Sequence, residues 1–570
     1  LADMLAGRGR FAEAEQAYQQ ALALYRDARD QFGEVDTLIG LGRLNIDRVR
    51  FDEAGTLFGQ AIALADRIEY ELGAADGTLG LAEVAVHRGQ LSQALAYAIQ
   101  AQEAYSTASS PLGEAESNRV LGEIQIRRGQ LAQAITVFDR AARAFRTLRA
   151  RVPYARALLG SGEAQRRKAT PRKAEDLFAE ARTVGGETEQ AAIEFIAVLG
   201  LGRIARQRGQ TTIAESLLEQ SATRLESANR PGAAAQAMVE RALLALTQGK
   251  LDFASGLAAR ARELAAAEER LSGEPGPITA AATVESAIAL ALSRLDVARV
   301  RTSEAIDLST RENDVLPRVE ALLSQATAEL RSENLDAAVA TYNDVLKEAK
   351  ASELSLAEGL ANLGLARVLL RRGLWEEAAL AHQELITRFR IAEDAEALVL
   401  AHMGVGAARH GQGELTAARQ AYVEAQRLAA RSDAVLSQAD AIHGEARVLL
   451  DIPEIEAAVG RFTQALTLIE RVGDAISDAH DRVSFYDGRA ALYADAVYAF
   501  AREQNAARAQ ELAQHYAGRS DRAGRAAAGQ RLKEYEQSIP IRGADLTREQ
   551  IEQNKTIARI LSDARQALSR

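Results

Sequence analysis

Along most of the chain, apolar and small residues return at a helical spacing, and that pattern itself returns every 40 residues. With Leu131 as reference, the equivalent positions are Phe11, Phe51, Leu91, Leu131, Pro171, Thr211, Leu251, Leu295, Leu335, Trp375, Leu415 and Ile455. Every step is 40 residues except the 44 from Leu251 to Leu295. The residue three further on is Ala in all twelve copies, and the residue nine before is Gly, Ala or Ser in all twelve. Seven after the reference an aromatic stands in seven copies (Tyr18, Phe58, Phe138, Phe178, Tyr342, Tyr422, Phe462), and ten after it Ala stands in nine. Offsets of 0, 3, 7 and 10 share one face of an α-helix, so Leu131, Ala134, Phe138 and Ala141 form one packing stripe.

The pattern predicts a helical hairpin. One helix runs from about 15 to about 3 residues before the reference, and a second of about four turns starts at it. Gly89, Gly129, Gly209, Gly249, Gly373 and Gly413 stand just before the reference, where a tight turn needs positive φ. Small residues such as Gly122 and Ala134 let the two helices approach, and the aromatic fills space between one hairpin and the next. A single hairpin cannot cover its own apolar face, so stability must come from stacking. The expected fold is all-α: a right-handed solenoid of about twelve hairpins over residues 1–470, the first truncated. The four extra residues are assigned to a loop at "SGEPGP" (272–277).

After the twelfth copy the 40-residue step fails, and residues 471–570 read as a helical extension. Residues 474–504 read as one long helix and 506–524 resemble a second repeat helix. "SIPIRGADL" (538–546) reads as a loop, and residues 547–569 as a last helix with Thr547 and Gln550 placed as a capping box.

Composition sharpens the all-α reading, with 9 Pro, 5% aromatics and few β-branched runs in 570 residues. The absence of Cys excludes disulfides, thiolate metal sites and a Cys nucleophile within this chain, and it suits a reducing, cytoplasmic setting. The net charge of −10 is spread over 69 basic and 79 acidic residues without a basic cluster, which argues against nucleic acid as a partner. No apolar run approaches the roughly 18 residues of a membrane span, and no basic-then-apolar leader opens the chain at Leu1.

Candidate chemistry is sparse. Of seven His, only His402 and His410 are spaced to share a helix face, and no third ligand accompanies them. Phosphate-loop, zinc-protease and nucleophile-elbow motifs are missing. The glycines of "GLGRLN" (40–45) and "GLGRIA" (200–205) fall mid-helix, where packing explains them. The expectation is therefore no enzyme, no metal and no small-molecule cofactor, and a protein or peptide partner bound in the concave groove. The residue eight before each reference should face that groove: Arg43, Glu83, Glu123, Glu163 and Arg203, with Arg367 and Arg447 later. Glu83, Glu123 and Glu163 would attract a basic partner segment; the competing reading is a solvated charged face. In the extension, Arg519, Arg522, Arg525 and Arg531 read as one helix face, directed at an adjoining domain or at solvent.

The columns of small residue, Ala, aromatic and Ala resemble the tetratricopeptide repeat over about residues 1–470, with a period of 40 in place of the usual 34. The longer unit is similar to the repeats of kinesin light chains, G-protein-signalling modulators and many bacterial regulators. The extension resembles the segment that precedes the protease-like domain in bacterial CHAT proteins, the caspase-like proteins associated with tetratricopeptide repeats. Arg482, Ser484, Phe485, Arg489, Leu492 and Tyr493 match its first helix, and Glu511, Ala513 and Arg519 its second. That resemblance implies a sensor region regulating a protease whose His and Cys would lie beyond Arg570. The alternatives are the sensor array of a bacterial signalling ATPase or transcriptional activator, and a stand-alone assembly scaffold.

Overall fold

The computed structural model describes residues 1–272, 277–312, 314–452, 454–541 and 546–569. Most of "SGEPGP" (residues 273–276) and part of "SIPIRGADL" (residues 542–545) therefore lie outside the described residues. Among the described residues all regular structure is helical, in 29 helices. Twenty-four of them pair as twelve hairpins, from Ala2–Gly7 with Phe11–Ala28 to Val435–Asp451 with Ile455–Asp474.

Most repeat helices match Pro111–Arg127 and Leu131–Thr147 in length, and short turns of equal length separate them. Each repeat is therefore two half-units of the same size, and the backbone repeats with that shorter period. Positive φ recurs once per half-unit, at Gly9, Arg29, Val49, Glu69, Gly89, Ser109 and onward to Gly249. At each turn one residue closes a helix and opens the next. The N–H of Val49 donates to the Ile46 carbonyl at 2.9 Å and that of Arg50 to Asn45 at 2.8 Å, a Schellman closure. The Arg50 carbonyl then accepts the N–H of Ala54 at 3.1 Å in the following helix. The predicted glycines occupy this left-handed position, but so do Val49, Ala169 and Glu189, each at a cost of about 1 kcal/mol. Those turns carry no glycine signal and show in the sequence only as gaps between helices.

The packing columns form as expected. All twelve Ala at offset three are fully buried, as are Leu131, Phe138 and Ala141. Four of the rings at offset seven lie between two glycines. A Cβ on Gly122 would stand 2.6 Å from the Phe138 ring, and one on Gly160, in the next hairpin, would come closer still. Phe58 lies between Gly42 and Gly80 in the same way, Phe178 between Gly162 and Gly200, and Tyr422 between Gly406 and Gly444.

The partner in the next hairpin keeps one fixed offset from the ring, and its size follows the ring. Tyr18, Phe58, Phe138, Phe178, Tyr342, His382 and Tyr422 face Gly40, Gly80, Gly160, Gly200, Gly364, Gly404 and Gly444. Where the ring is replaced by Ala98, Leu218 or Thr302, the residue at that offset is Val120, Glu240 or Ser324. A ring needs a bare backbone opposite it, and a missing ring leaves room for a side chain.

His382 holds a ring position badly. It is fully buried with both ring nitrogens unpartnered, and burial, aided by the charge of Arg367, pushes its pKa down to about 4. The folded imidazole stays neutral where the unfolded one, at about 6.5, takes up a proton, so wild-type stability falls as pH drops from about 6.5 toward 4. His382→Phe is expected to stabilise the chain by about 1–3 kcal/mol at neutral pH. Its melting temperature should also decline less between pH 7 and pH 5, which thermal unfolding at the two pH values would measure.

The solenoid winds tightly enough for successive superhelical turns to touch. The turn inside a hairpin rests on the linkers that follow the fourth and fifth hairpins after it. At the sixth hairpin, Arg208 pairs with Glu393 at 2.6 Å, the Gln207 amide donates to the Ala392 carbonyl at 2.8 Å and Thr211 Oγ1 bonds Asp433 at 2.6 Å. Lys168–Glu353 at 3.0 Å and Arg230–Asp47 at 2.8 Å repeat the same register. About five hairpins thus make one turn, and the seam between turns combines these polar bonds with apolar contacts such as Leu131 in one cluster with Val319 and Leu354.

In the extension the structure departs from two expectations. Residues 474–504 are not one helix: Ala479–Asp487 and Ala490–Arg502 are separated at Gly488 and Arg489. Asp478 caps the first by accepting the N–H of Asp481 at 2.8 Å, and the break lets Phe485, Tyr486 and Tyr493 all enter one core. Helical periodicity is blind to a short break that keeps apolar residues in phase. Arg519 also does not share a helix with Arg522, Arg525 and Arg531. The helix Ala506–Ala517 ends before it, and Asp521 caps Arg522–Ser538 through the N–H groups of Ala523 and Gly524. The capping box of the last helix, Arg548–Ser569, forms as read: Thr547 N–H donates to Gln550 Oε1 at 2.9 Å and Gln550 N–H to Thr547 Oγ1 at 3.1 Å.

Candidate functional site: the inner channel

Because the turns stack, the inner face is partly enclosed. It holds two adjoining cavities of about 880 and about 610 Å³ that share Arg206, Leu243, Leu360 and Leu400 on their walls. The walls come mainly from the first helices of the hairpins, from His87 and Arg127 through Glu163, Arg203 and Glu240 to Glu320 and Glu396. Residues distant in sequence meet here because the superhelix returns after about five hairpins.

Glu163 and Arg203 line the larger cavity, and Arg367 and Arg447 the smaller. Arg43, Glu83 and Glu123 continue the same column toward the N-terminus, with Arg43 3.5 Å from Asp76. The three acids are each met by arginine from this chain. Arg119, almost fully buried, bonds Glu116 at 2.8 Å and Glu123 at 2.7 Å and also pairs with Glu83. Glu163 accepts from Arg166 and Arg167, both at 2.8 Å, and Arg167 continues to Asp314 at 3.1 Å. Arg203 and Arg206 share Glu240 at 2.9 and 2.8 Å.

The electrostatics follow from that arrangement. Burial alone would raise Glu83, yet the charges of Arg119 and Arg43 carry it below its ordinary value. Glu163 and Glu240 are lowered for the same reason, by Arg166 and Arg206 in turn against burial. Glu123 is raised, because burial outweighs its share of Arg119. From Arg43 to Glu240 the column is therefore a ladder of compensated charges, of which Glu163, Arg203 and Glu240 line the larger cavity. Its arginine rungs at i+3 and i+4 from Glu163 and at i−4 from Glu123 were readable as helix-surface ion pairs. Glu240 and Arg206 were not, because their pairing crosses between hairpins.

The histidines serve packing and ion pairs. His87 stacks on Phe51 with centroids 4.8 Å apart, and burial, then Arg127, push it down to about 4. His410 Nε2 lies 2.6 Å from Asp451 Oδ2, while burial lowers His402. Among the described residues no group of three His, Asp or Glu is placed to hold a metal ion, and no helix is long and apolar enough to cross a membrane.

A search of curated proteins finds no match. Among solved structures, the hetero-tetramer of the APC/C proteins Cut9 and Hcn1 aligns over 99% of this chain and 95% of that chain, at 12% identity and a TM-score of 0.47. A Rap protein complexed with Competence and Sporulation Factor aligns over 71% of this chain and 100% of its own, at 10% identity and a TM-score of 0.36. The apo form of RapI aligns over 66% and 98%, at 12% identity and a TM-score of 0.35. One family model, described as a tetratricopeptide repeat, matches residues 1–32. The match thus places a tetratricopeptide repeat at residues 1–32, and the eleven hairpins that follow keep its two-helix unit and its buried Ala column.

Proposed function

We propose that this chain is a protein-interaction scaffold whose inner channel receives an extended segment of a partner protein. The observation that carries this reading is the channel itself. First helices from two superhelical turns converge on a continuous space, where apolar walls at Leu243, Leu360 and Leu400 alternate with ion-paired side chains. Such a wall offers many weak contacts to an elongated ligand and isolates no catalytic group. Glu163, Arg203, Arg367 and Arg447 supply its charged lining, the reading extends that column to Arg43, Glu83 and Glu123, and a basic partner side chain would compete with Arg119 or Arg166 for the acids.

The test is a selection of binding peptides against the full chain, followed by a plugging variant. Ser324 lies on the wall shared by both cavities, so Ser324→Trp is expected to weaken the selected peptides at least about tenfold (1.4 kcal/mol) while leaving helicity unchanged. Leu380→Asp, on an exposed outer position, should leave binding intact. Equal binding by Ser324→Trp and wild type would place the partner elsewhere and end this reading.

In its finer form the proposal makes the solenoid a sensor for a CHAT-type protease domain, supported by the sequence likeness of the extension around Phe485, Arg489 and Tyr493. The sequence that follows Arg570 in the full-length gene tests it directly: a protease-like domain with His and Cys is expected.

A further inference from the structure

The smaller cavity differs from the rest of the channel in its charge. In the larger cavity and the column leading to it, Arg119, Arg166, Arg167, Arg203 and Arg206 have carboxylate partners, and among the described residues Arg127 is a single exception on that wall. Here Arg331, Arg367, Arg447 and Arg489 line one space of about 610 Å³. Among the described residues, no carboxylate forms an ion pair with Arg331, Arg367 or Arg489. Arg331 donates to the backbone carbonyl of Leu290. The Arg489 guanidinium lies 4.8 Å from the Phe485 ring centroid, and its Nε is buried without a partner. Arg447 only reaches Asp495 at 3.6 Å, and that carboxylate is already held by His443 and Arg531. Asp440 and Glu396 also line the cavity, and neither pairs with these arginines.

Guanidinium groups cannot shed their charge, so three of them sharing a partly enclosed space repel one another. Burial and then the charges of Arg367 and Arg489 pull Arg331 down to about 10, with Asp440 opposing. An oxyanion accepting forked hydrogen bonds would relieve that repulsion. Leu246, Leu290, Leu323, Leu363 and Met403 give the cavity a large apolar surface, interrupted by Thr247, Ser324, Thr327, Ser437 and His443.

We propose that this end of the channel binds an oxyanion, carboxylate or phosphate, carried on an apolar body, with Arg331, Arg367 and Arg489 as its cationic ligands. The oxyanion has two possible sources: an acidic residue in an apolar peptide segment, or a free amphiphile. The site stands on the unpaired arginines and not on the partner reading above.

Titration calorimetry and thermal shift on the full chain test it. The probes are decanoate, decyl phosphate, neutral decanol, and an apolar peptide bearing one Glu beside its Gln counterpart. At least one anionic probe is expected to bind and to raise the melting temperature. Arg367→Gln and Arg489→Gln should each weaken it at least tenfold, while Arg372→Gln, whose arginine pairs with Asp336 on the outside, should not. Decanol and the Gln peptide should bind at least tenfold more weakly than their anionic counterparts. Unliganded Arg367→Gln should melt at or above the wild-type temperature, since removing one charge relieves repulsion; a purely structural arginine would give the reverse. Binding by decanoate or decyl phosphate alone assigns the site to a free amphiphile, and binding by the Glu peptide alone assigns it to a partner segment. Failure of every anionic probe, equal binding of the neutral ones, or indifference to Arg367→Gln would overturn the proposal. Failure of every anionic probe beside selected peptides that lack acids yet are blocked by Ser324→Trp would overturn it while leaving the scaffold reading intact.

Discussion

Phe138→Ala is expected to destabilise the solenoid by about 3–5 kcal/mol, and Gly160→Val by about 1–3 kcal/mol through overpacking. The double variant should be more stable than the sum of the two predicts. The reason is written elsewhere in the chain. Phe138 is fully buried against Gly122 of its own hairpin and Gly160 of the next. One hairpin earlier the same two positions hold Ala98 and Val120, both fully buried. Removing the ring and adding the branched side chain therefore converts one natural solution into another. Chemical denaturation of the four proteins gives the coupling energy, which should favour the double variant by about 1 kcal/mol or more. Strict additivity would show that the ring and the glycine do not share the space assigned to them.

Asp495→Ala is expected to cost about 3–5 kcal/mol of the stability that holds the extension to the last hairpin. Asp495 is fully buried in the helix Ala490–Arg502. It meets His443 Nε2 at 2.9 Å and Arg531 Nη2 at 2.9 Å, and accepts from Tyr535 Oη at 2.7 Å. One carboxylate thus ties the helix Val435–Asp451 of the final hairpin to two helices of the extension. Its loss leaves Arg531 without a counter-charge and His443 without its hydrogen-bond partner, so hydrogen exchange should accelerate in Arg522–Ser538 before it does in the middle hairpins. Burial alone would raise Asp495, but His443 and Arg531 hold it well below the usual carboxylate range. The sign follows: a depressed folded pKa gives stability that is complete above the unfolded value of about 4 and is lost as pH falls below it. Wild type should therefore release the extension on acidification below about pH 4, and Asp495→Ala should be released already at neutral pH. Equal exchange in the two proteins at pH 7 would exclude the role given to this carboxylate.

Much of the fold was legible in the sequence because the repeats average out local noise. Twelve Ala at one offset leave no other reading than a packing column, and all twelve are buried. The glycine at a constant offset from every ring but Phe462, which has Ser484 there, was equally present in the sequence, but its meaning depends on which helix faces which. Within one hairpin Gly160 is only another small residue; beside Phe138 it is the floor of a pocket. The extension was less legible, since its helices pack without a repeat to calibrate them, and the break at Gly488 preserves the apolar phase.

The sequence by itself determined the hairpin, its period and its packing face, because these depend on contacts between residues at most about one repeat apart. The tertiary structure alone decided the superhelical closure. Arg208 meets Glu393, and Arg331 shares a cavity with Arg489, only because about five hairpins bring the chain back over itself. The curvature that sets this return is a small rotation accumulated over many hairpin interfaces. No single column encodes that rotation, so neither the partly enclosed channel nor its unpaired arginines can be read from any one copy of the repeat.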